Sequence, residues 1–364
     1  MNEESPQHPL APGARKGRGA TTSPAPRYVA VAREPFDDGW GALDAELPPL
    51  DTRVAEEQAQ SLITRNTSPD VPFTQSVNPY RGCEHGCIYC FARPSHAWLD
   101  LSPGLDFERL LTAKMNAAAV LREELAAPTY RCEPIAIGAS TDAYQPVERR
   151  YGLTRALLEV MVETRHPCTV ITKSATIERD IDLLAALAAR NLVEVFVSLT
   201  TLDHHVARHL EPRATAPRRR LETLRTLTAA GVPTAVIVAP VIPALTDHEF
   251  ESLLEAAADS GASHASYVLL RLPREVAPLF RAWLAHHHPM RAERVMALVQ
   301  DMRGGRDYDS EFGQRMTGQG PLAQLLARRF ETTIRKLKLA RVRRPLDCGQ
   351  FIRPRKDERQ MTLF

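Results

Sequence analysis

The sequence predicts an α/β fold, an open partial (βα)6 barrel followed by C-terminal helices and a tail. Short apolar runs alternate with amphipathic stretches of helical period from about residue 75 to about residue 270. Repeated β/α units place parallel strands in one sheet with helices outside it. Six units are too few to close an eight-stranded barrel, so we expect a TIM-like barrel that stays open.

The individual elements follow from the same alternation. The expected strands lie near residues 76–80 and at 134–139, 169–172, 193–199, 234–239 and 265–270. The expected helices lie at 107–125, 153–164, 177–189, 218–230 and 247–260, with two more near 290–303 and 320–339. Gly231 and Pro233 mark the end of one helix and the start of the next strand.

Composition divides the chain into five regions. Residues 1–30 are rich in Pro, Gly, Ser and Ala, which is typical of a disordered tail. Pro48 and Pro49 interrupt the next region. We therefore expect a disordered tail over 1–30, an irregular arm over 31–70, the core over 71–285, a helical region over 286–340 and a basic tail over 341–364.

The bulk composition is that of a globular protein. The 364 residues are 44% hydrophobic and 25% charged. No apolar run reaches the roughly 18 residues that a membrane span needs. The first residues contain no apolar segment typical of a secretory signal. We expect a cytoplasmic protein that has no membrane partner.

Basic residues are concentrated in two places. The segment 335–359 holds ten Lys or Arg against three Asp or Glu, and a second group comprises Arg213, Arg218, Arg219, Arg220 and Arg225. Such groups are typical of phosphate contacts with a nucleic acid, which makes DNA an expected partner. The alternative is a solvated surface with a basic tail.

Three of the six cysteines lie within eight residues. Cys83, Cys87 and Cys90 have the spacing C-x3-C-x2-C, and Gly82 and Gly86 allow the turns between them. Clustered thiols in a reducing compartment indicate a soft metal centre. A structural zinc site prefers four ligands, and no second CxxC pair is present. Zinc and incidental surface cysteines remain the alternatives.

This motif, with Tyr89 before the third cysteine, resembles the signature of the radical S-adenosylmethionine (SAM) superfamily. The resemblance implies a [4Fe–4S] cluster held by the three cysteines and SAM bound at its open iron. It also implies reductive cleavage of SAM to a 5′-deoxyadenosyl radical, with an electron donor such as flavodoxin or ferredoxin.

Polar residues follow the predicted strands, where barrel-like folds form their sites. Ser140 and Thr141 follow the second strand, Lys173 the third, and Ser198 ends the fourth. A lysine directly after an apolar strand is placed to pair with an anion such as the SAM carboxylate. Serine and threonine at these positions are also common helix caps.

The segments TDAYQPVE, ITKSATIERDIDLL, VSLTT, LEPRATAPRRRLETLRTLTAAGVP and VAPVIPALTD resemble spore photoproduct lyase and its DNA repair photolyase-like relatives over about residues 75–275. The resemblance implies that Thr141, Lys173 and Ser198 contact SAM. The lyases place a hydrogen-donating cysteine where this chain has Ala139. Alanine has no transferable hydrogen, so dimer reversal by that mechanism is not expected.

Two other side chains near the motifs, Tyr144 and His85, have two interpretations each. Tyr144 is a candidate for relaying a hydrogen atom, with a packed loop tyrosine as the alternative. His85, between the ligands, either tunes the cluster or is a solvated loop residue. Cys132 and Cys168 precede their strands and are expected at the end opposite the site.

The last five residues resemble the bacterial sliding-clamp-binding pentapeptide. Gln360, Leu363 and Phe364 supply one glutamine and two large apolar anchors on a basic tether. A sliding clamp is therefore an expected partner, and the alternative is an apolar chain end packed on the core.

Three functions follow in order of support. The first is a radical SAM enzyme acting on nucleic acid, with a repair-like reaction. The second is a radical SAM enzyme with a small-molecule or protein substrate. The third is a non-enzymatic iron–sulfur protein that binds a partner or senses redox state.

Overall fold

The computed structural model describes residues 13–28, 50–342 and 345–355. Its strands, in chain order, are β1 (Arg53–Glu57), β2 (Thr64–Arg65), β3 (Gln75–Val77), β4 (Tyr80–Arg81), β5 (Leu110–Lys114), β6 (Ile135–Ile137), β7 (Cys168–Thr172), β8 (Val193–Leu199), β9 (Thr234–Val241) and β10 (His264–Leu269).

Eleven α-helices connect or follow these strands in the described residues. They are α1 (Leu105–Arg109), α2 (Ala117–Ala126), α3 (Glu148–Tyr151), α4 (Leu153–Thr164), α5 (Ile181–Ala188), α6 (His204–Leu210), α7 (Pro217–Ala229), α8 (Phe250–Asp259), α9 (Val276–His287), α10 (Pro289–Asp301) and α11 (Gly320–Leu337). None of the helices in these ranges is long and apolar enough to cross a membrane.

The main sheet confirms the predicted partial barrel. Its order is β10-β9-β8-β7-β6-β3-β2, and the six strands from β10 to β3 are all parallel. The short β2 pairs antiparallel at one edge. Every residue of β8 is buried, because a central parallel strand is covered on both faces.

The helices cover the sheet through apolar stripes. Leu157, Leu158 and Met161 of α4 and Leu253 and Leu254 of α8 are buried in the main hydrophobic cluster. Their spacings of one, three and four residues put them on one face of each helix. This layer holds the strand ends, and the loops that follow them, in fixed positions.

The predicted helix over 107–125 is wrong. The chain instead forms α1, the strand β5 and then α2. Residues of β5 alternate between buried and half-buried, and the strand lies between β1 and β4 in a separate three-stranded sheet. The partner strand β1 lies more than 50 residues upstream, at Arg53–Glu57, so the helical pattern is overridden by a distant pairing.

The described parts of the terminal regions are more structured than the composition predicts. We expected residues 1–30 to be disordered, whereas Arg18 and Ala20 are buried. In the predicted basic tail, Ile352 N–H donates to the Thr164 carbonyl over 2.8 Å and the Phe351 ring packs on His166. The described part of the tail therefore lies at the amino-terminal end of the barrel strands. Gln360, Leu363 and Phe364 lie outside the described residues, so clamp binding stays a prediction.

Candidate active site

The three cysteines lie in one loop between β4 and the 3-10 helix Arg93–Leu99, beside the carboxyl ends of the barrel strands. Cys83 and Cys87 are buried, and Cys90 is half-buried. Burial raises the pKa of the Cys83 thiol, and the charges of Asp142, Cys87 and Cys90 raise it further. Cys90 N–H donates to the Cys87 carbonyl over 3.2 Å, and the Cys90 side chain packs in one cluster with Cys83, so the structure brings the three predicted ligands together.

The donor set fits an iron–sulfur cluster. Burial raises the pKa of Cys87 to about 12. Such a thiol ionises readily only beside a compensating positive charge, which the irons of a cluster supply. Among the described residues, no group of three or more His, Cys, Asp or Glu side chains surrounds a single metal-ion position. A cubane binds each thiolate at a separate iron, so its ligands need not converge on a point.

The turn before the first cysteine needs glycine. Gly82 has φ +73°, and a Cβ added there would lie 2.6 Å from Cδ2 of Leu111. Gln145 fixes the same turn: its amide nitrogen donates to the Gly82 carbonyl over 3.1 Å, and its oxygen accepts from Glu84 N–H over 2.8 Å. The segment after β6 therefore positions the cysteine loop, although no sequence pattern indicates that these two segments contact each other.

A buried ion pair supports the middle of the loop. Arg93 and Glu108 are both 0% exposed and pair with each other. Arg93 also donates to the carbonyls of Cys87, over 2.9 Å, and Gly86, over 3.1 Å. Sequence reasoning missed both residues, and the one available signal was an arginine three positions after the last cysteine.

Lys173, the residue directly after β7, lies next to the cysteine loop. Its ammonium nitrogen is 5.9 Å from the centroid of the Tyr89 ring. Burial lowers the pKa of Lys173, but the negative charges of Cys87 and Glu211 outweigh burial and raise it. The side chain is therefore a fixed cation beside the second cysteine.

Beneath Lys173 lies a buried network that the sequence did not reveal. Glu211 accepts hydrogen bonds from Tyr89, Thr200 and Arg220, and all four side chains are at least nine-tenths buried. Burial raises the pKa of Glu211, but the charges of Arg220 and Lys173 outweigh it and lower the pKa to about 2. The network thus keeps a carboxylate ionised under the loop.

Asp142 connects the carboxyl ends of β6 and β7. Its carboxylate accepts from the Thr172 hydroxyl and from Lys173 N–H, each over 2.7 Å. His85 Nδ1 lies 3.3 Å from the same carboxylate, outside hydrogen-bond geometry, and its side chain is 2% exposed. The interpretation of His85 as a solvated loop histidine is therefore wrong, because the loop folds inward onto Asp142.

The other predicted residues have different surroundings. Thr141 donates to the Tyr80 carbonyl over 3.0 Å and lines a cavity at the rim. Ser198 is buried and donates to the Ala239 carbonyl over 3.3 Å. Tyr144 is fully buried in the main core, and its hydroxyl donates to Asp180 over 3.0 Å. That environment favours the packed structural tyrosine.

The cavity has a volume of about 640 Å³ and opens beside the cysteine loop. Gly82 and Phe91 of the loop, Thr141 after β6 and Pro273 after β10 are among its lining residues. Trp98, which is 67% exposed, stands at its wall and stacks on Tyr28 with ring centroids 4.6 Å apart. The exposed face of Trp98 therefore offers a stacking surface at the cavity wall.

The described lining of the cavity is cationic. It includes Arg27, Arg81, Lys114, Arg271 and Arg274 and no Asp or Glu. Arg27 and Arg81 pair with carboxylates outside the cavity, whereas the ion pairs of the described residues do not include the other three. Nε of Arg271 is buried without a hydrogen-bond partner, and its guanidinium lies 5.3 Å from the centroid of the Phe91 ring. The cavity therefore offers unneutralised positive charge next to aromatic rings.

No cysteine lies at the rim outside the loop, among the residues that the structure describes. Ala139 follows β6 at the rim, whereas Cys132 precedes that strand and Cys168 begins β7. The Cys348 thiol is hydrogen-bonded to that of Cys132 at the same far end. These positions agree with the expectations for Cys132 and Cys168.

The second basic group does not form a free phosphate-binding patch. Arg213 pairs with Glu84 over 3.0 Å, Arg219 with Glu178 over 2.6 Å, and Arg220 with the buried Glu211. Tertiary contacts bring carboxylates to three of the five arginines, so their local sequence overstates the positive charge.

Comparisons with known proteins agree with this geometry. The family model of the radical SAM superfamily matches residues 77–257. An uncharacterised protein of Mycobacterium tuberculosis (strain ATCC 25618 / H37Rv) is 40% identical over 284 residues, which cover 75% of this chain and 84% of the relative. An uncharacterised protein of Methanocaldococcus jannaschii is 26% identical over 174 residues, covering 48% of this chain and 62% of the relative.

Solved structures of spore photoproduct lyase have a similar fold. A tyrosine-to-phenylalanine mutant of the lyase superposes with a TM-score of 0.55 at 14% identity, over 78% of this chain and 79% of that chain. The lyase complexed with dinucleoside spore photoproduct superposes with a TM-score of 0.51 at 14% identity, over 78% of each chain. At this identity the likeness concerns the fold.

Proposed function

This chain belongs to the radical SAM superfamily, and we propose that it binds a [4Fe–4S] cluster through Cys83, Cys87 and Cys90 and acts on nucleic acid. The observation that carries the proposal is the adjacency of two features. A loop with three neighbouring thiols lies against a cavity whose described lining holds five cations and no carboxylate.

The chain's own residues have distinct roles in this proposal. When bound and reduced, the cluster and SAM supply a 5′-deoxyadenosyl radical. Lys173, a half-buried cation beside the cysteine loop, binds the SAM carboxylate. Thr141, which follows β6, and Ser198, near the carboxyl end of β8, are the other two residues proposed to contact SAM, and β7 lies between their strands. Flavodoxin or ferredoxin is the proposed electron donor.

The cavity suits a nucleic-acid substrate. The ion pairs of the described residues include neither Lys114 nor Arg274, so both can pair with phosphates, which carry most of the affinity for nucleic acid. Phe91 and Trp98 are exposed and offer stacking surfaces for an unstacked base. The spore photoproduct lyase structure with its bound dinucleoside lesion shows that a related fold accommodates such a ligand.

The proposed reaction is not the reversal of a thymine dimer with a cysteine thiol after β6 as the hydrogen donor. Ala139 follows β6 at that position. Its methyl group cannot return a hydrogen atom to a substrate radical. A different nucleic-acid reaction, initiated by the same radical, is therefore proposed.

The cluster is tested by anaerobic reconstitution of the full chain. We expect about four irons per chain, lost in Cys83→Ala and retained in Cys168→Ala, because Cys168 is buried at the far end of the sheet. Dithionite and SAM should then yield 5′-deoxyadenosine. A colourless zinc protein would refute the cluster, and an iron–sulfur protein that leaves SAM intact would favour the non-enzymatic alternative.

Substrate class is tested by the salt dependence of DNA binding, measured by fluorescence anisotropy. Each phosphate contact contributes roughly 0.7–0.9 to the slope of log affinity against log salt. We expect Lys114→Ala and Arg274→Ala each to reduce that slope. Arg122→Ala is the matched control, because this arginine is exposed, lies outside both basic groups and pairs with Glu163 between the outer helices α2 and α4. Salt-independent binding, or equal effects of all three variants, would favour a small-molecule or protein substrate.

A further inference from the structure

An N-terminal segment that composition alone would leave disordered crosses the cysteine loop. We infer that Arg18, Gly19 and Ala20 are positioning residues of that loop and determine how firmly it retains its cluster. The inference rests on the proposed function, in that the loop must hold the cluster. We call residues 13–24 the strap.

The strap reaches the cysteines through Glu108. This carboxylate is fully buried and accepts from Gly19 N–H over 2.9 Å and from Ala20 N–H over 2.8 Å. The same carboxylate pairs with Arg93, which donates to the Cys87 carbonyl. Three successive interactions, through Glu108 and Arg93, therefore connect the backbone of the strap to the second cysteine.

Close packing adds to these bonds. A Cβ added to Gly19 would lie 1.9 Å from the carbonyl oxygen of Gly86, between the first two cysteines. Only glycine lets the two backbones approach so closely. Ala20 is 0% exposed in an apolar cluster that includes Cys87 and Ile88. The strap thus excludes water from the outer side of the loop.

Arg18 connects the strap to the first cysteine by a second route. Its side chain is 7% exposed and donates to the Glu108 carbonyl over 2.7 Å and to the Thr52 hydroxyl over 3.1 Å. Thr52 in turn donates to Glu84, the residue after Cys83, over 2.6 Å. Two independent chains of hydrogen bonds therefore join the strap to the loop.

Such contacts position ligands without touching the cluster. Loss of one buried hydrogen bond to a charged group changes an equilibrium by about tenfold. We expect Arg18→Ala and Gly19→Ala to release iron to a chelator about tenfold faster than the parent protein, because the loop opens more often. The environment of the cluster should change as well, since the Cys87 carbonyl and its arginine are held less firmly.

The experiment compares Arg18→Ala, Gly19→Ala and Lys16→Ala in the full, anaerobically reconstituted chain. Lys16 is an exposed cation of the same strap and serves as the control. The measurements are the rate of iron release, the midpoint potential and electron paramagnetic resonance spectrum of the reduced cluster, and the melting temperature of the apo-protein. We expect faster release and a shifted potential or spectrum in the first two variants, parent-like values in Lys16→Ala, and partial rescue by Arg18→Lys.

Iron release and spectra equal to those of the parent in both test variants would overturn the inference while leaving the proposed function intact. If the parent protein itself holds no iron, the proposed function fails first. If Gly19→Ala does not fold, Arg18→Ala still decides, because it removes atoms and adds none.

Discussion

Three consecutive arginines on α7 differ sharply in their surroundings. The side chains of Arg218, Arg219 and Arg220 are 93%, 42% and 2% exposed. Helical geometry turns each by about 100° from the last, so only one of the three faces the core. We predict that Arg220→Ala strongly destabilises the protein, whereas Arg218→Ala does not.

The expected loss of stability follows from the hydrogen bonds and the ion pair that Arg220 forms. Its guanidinium donates to the Thr215 carbonyl over 2.6 Å and the Ser198 carbonyl over 2.9 Å, and it pairs with Glu211. Although burial raises the pKa of Glu211, Arg220 and then Lys173 lower it to about 2, so the carboxylate is ionised at neutral pH. Removing the arginine leaves a buried charge without its main partner. Breaking such a pair costs about 3–5 kcal/mol.

Arg218 provides the matched control on the same helix. It pairs with Glu222 over 3.3 Å at the surface, a contact worth at most about 0.5 kcal/mol. Urea denaturation of the apo-proteins, followed by circular dichroism at pH 7 under reducing conditions, gives the two free energies of unfolding. An Arg220→Ala protein within about 1 kcal/mol of the parent would contradict the ionised, buried pair.

Three further predictions concern pH, strain and cofactor binding. Burial lowers the pKa of His166 to about 4, so the unfolded state takes up a proton at a higher pH than the folded state does. The free energy of unfolding should therefore fall by roughly 3 kcal/mol between pH 6.5 and pH 4, as measured by denaturation at each pH. The fall should be smaller in His166→Gln. Gly82→Ala should destabilise the protein and reduce iron loading, because the added Cβ meets the Leu111 side chain. Gly152 is the control, because it has φ +65° and no atom lies within 4 Å of an added Cβ. Gly152→Ala should cost only about 1 kcal/mol of backbone strain and leave the iron content unchanged. Lys173→Met should weaken SAM binding by about tenfold or more in equilibrium dialysis while iron content stays constant, and unchanged affinity would remove Lys173 from the site.

Local patterns were sufficient for the parallel sheet. The strand expected at residues 193–199 is β8, with the same bounds. A strand covered on both faces is a continuous apolar run, which sequence alone displays. The helix expected over 107–125 failed at β5, because its pairing partners β1 and β4 lie elsewhere in the chain. Pairing between distant segments has no local signal.

The same division holds within the candidate site. Cys83, Cys87 and Cys90 are neighbours in sequence, so their spacing alone indicates a shared metal centre. Lys173 was found because it ends an apolar strand. Glu108 and Glu211 were not found, because a carboxylate in a helix or loop is usually solvated. Only the folded structure shows that each of these two glutamates is buried against a partner arginine.

The sequence by itself determined the order of β/α units, the three cysteines and the residues that follow each strand. These depend on periodicity and on short spacings, which the chain carries locally. Only the tertiary structure decided which charges are buried, which arginines remain free, and that residues 13–24 pack across the cysteine loop. Those outcomes depend on pairs of groups tens of residues apart, because ion pairing and close packing require tertiary contacts between distant segments of the chain.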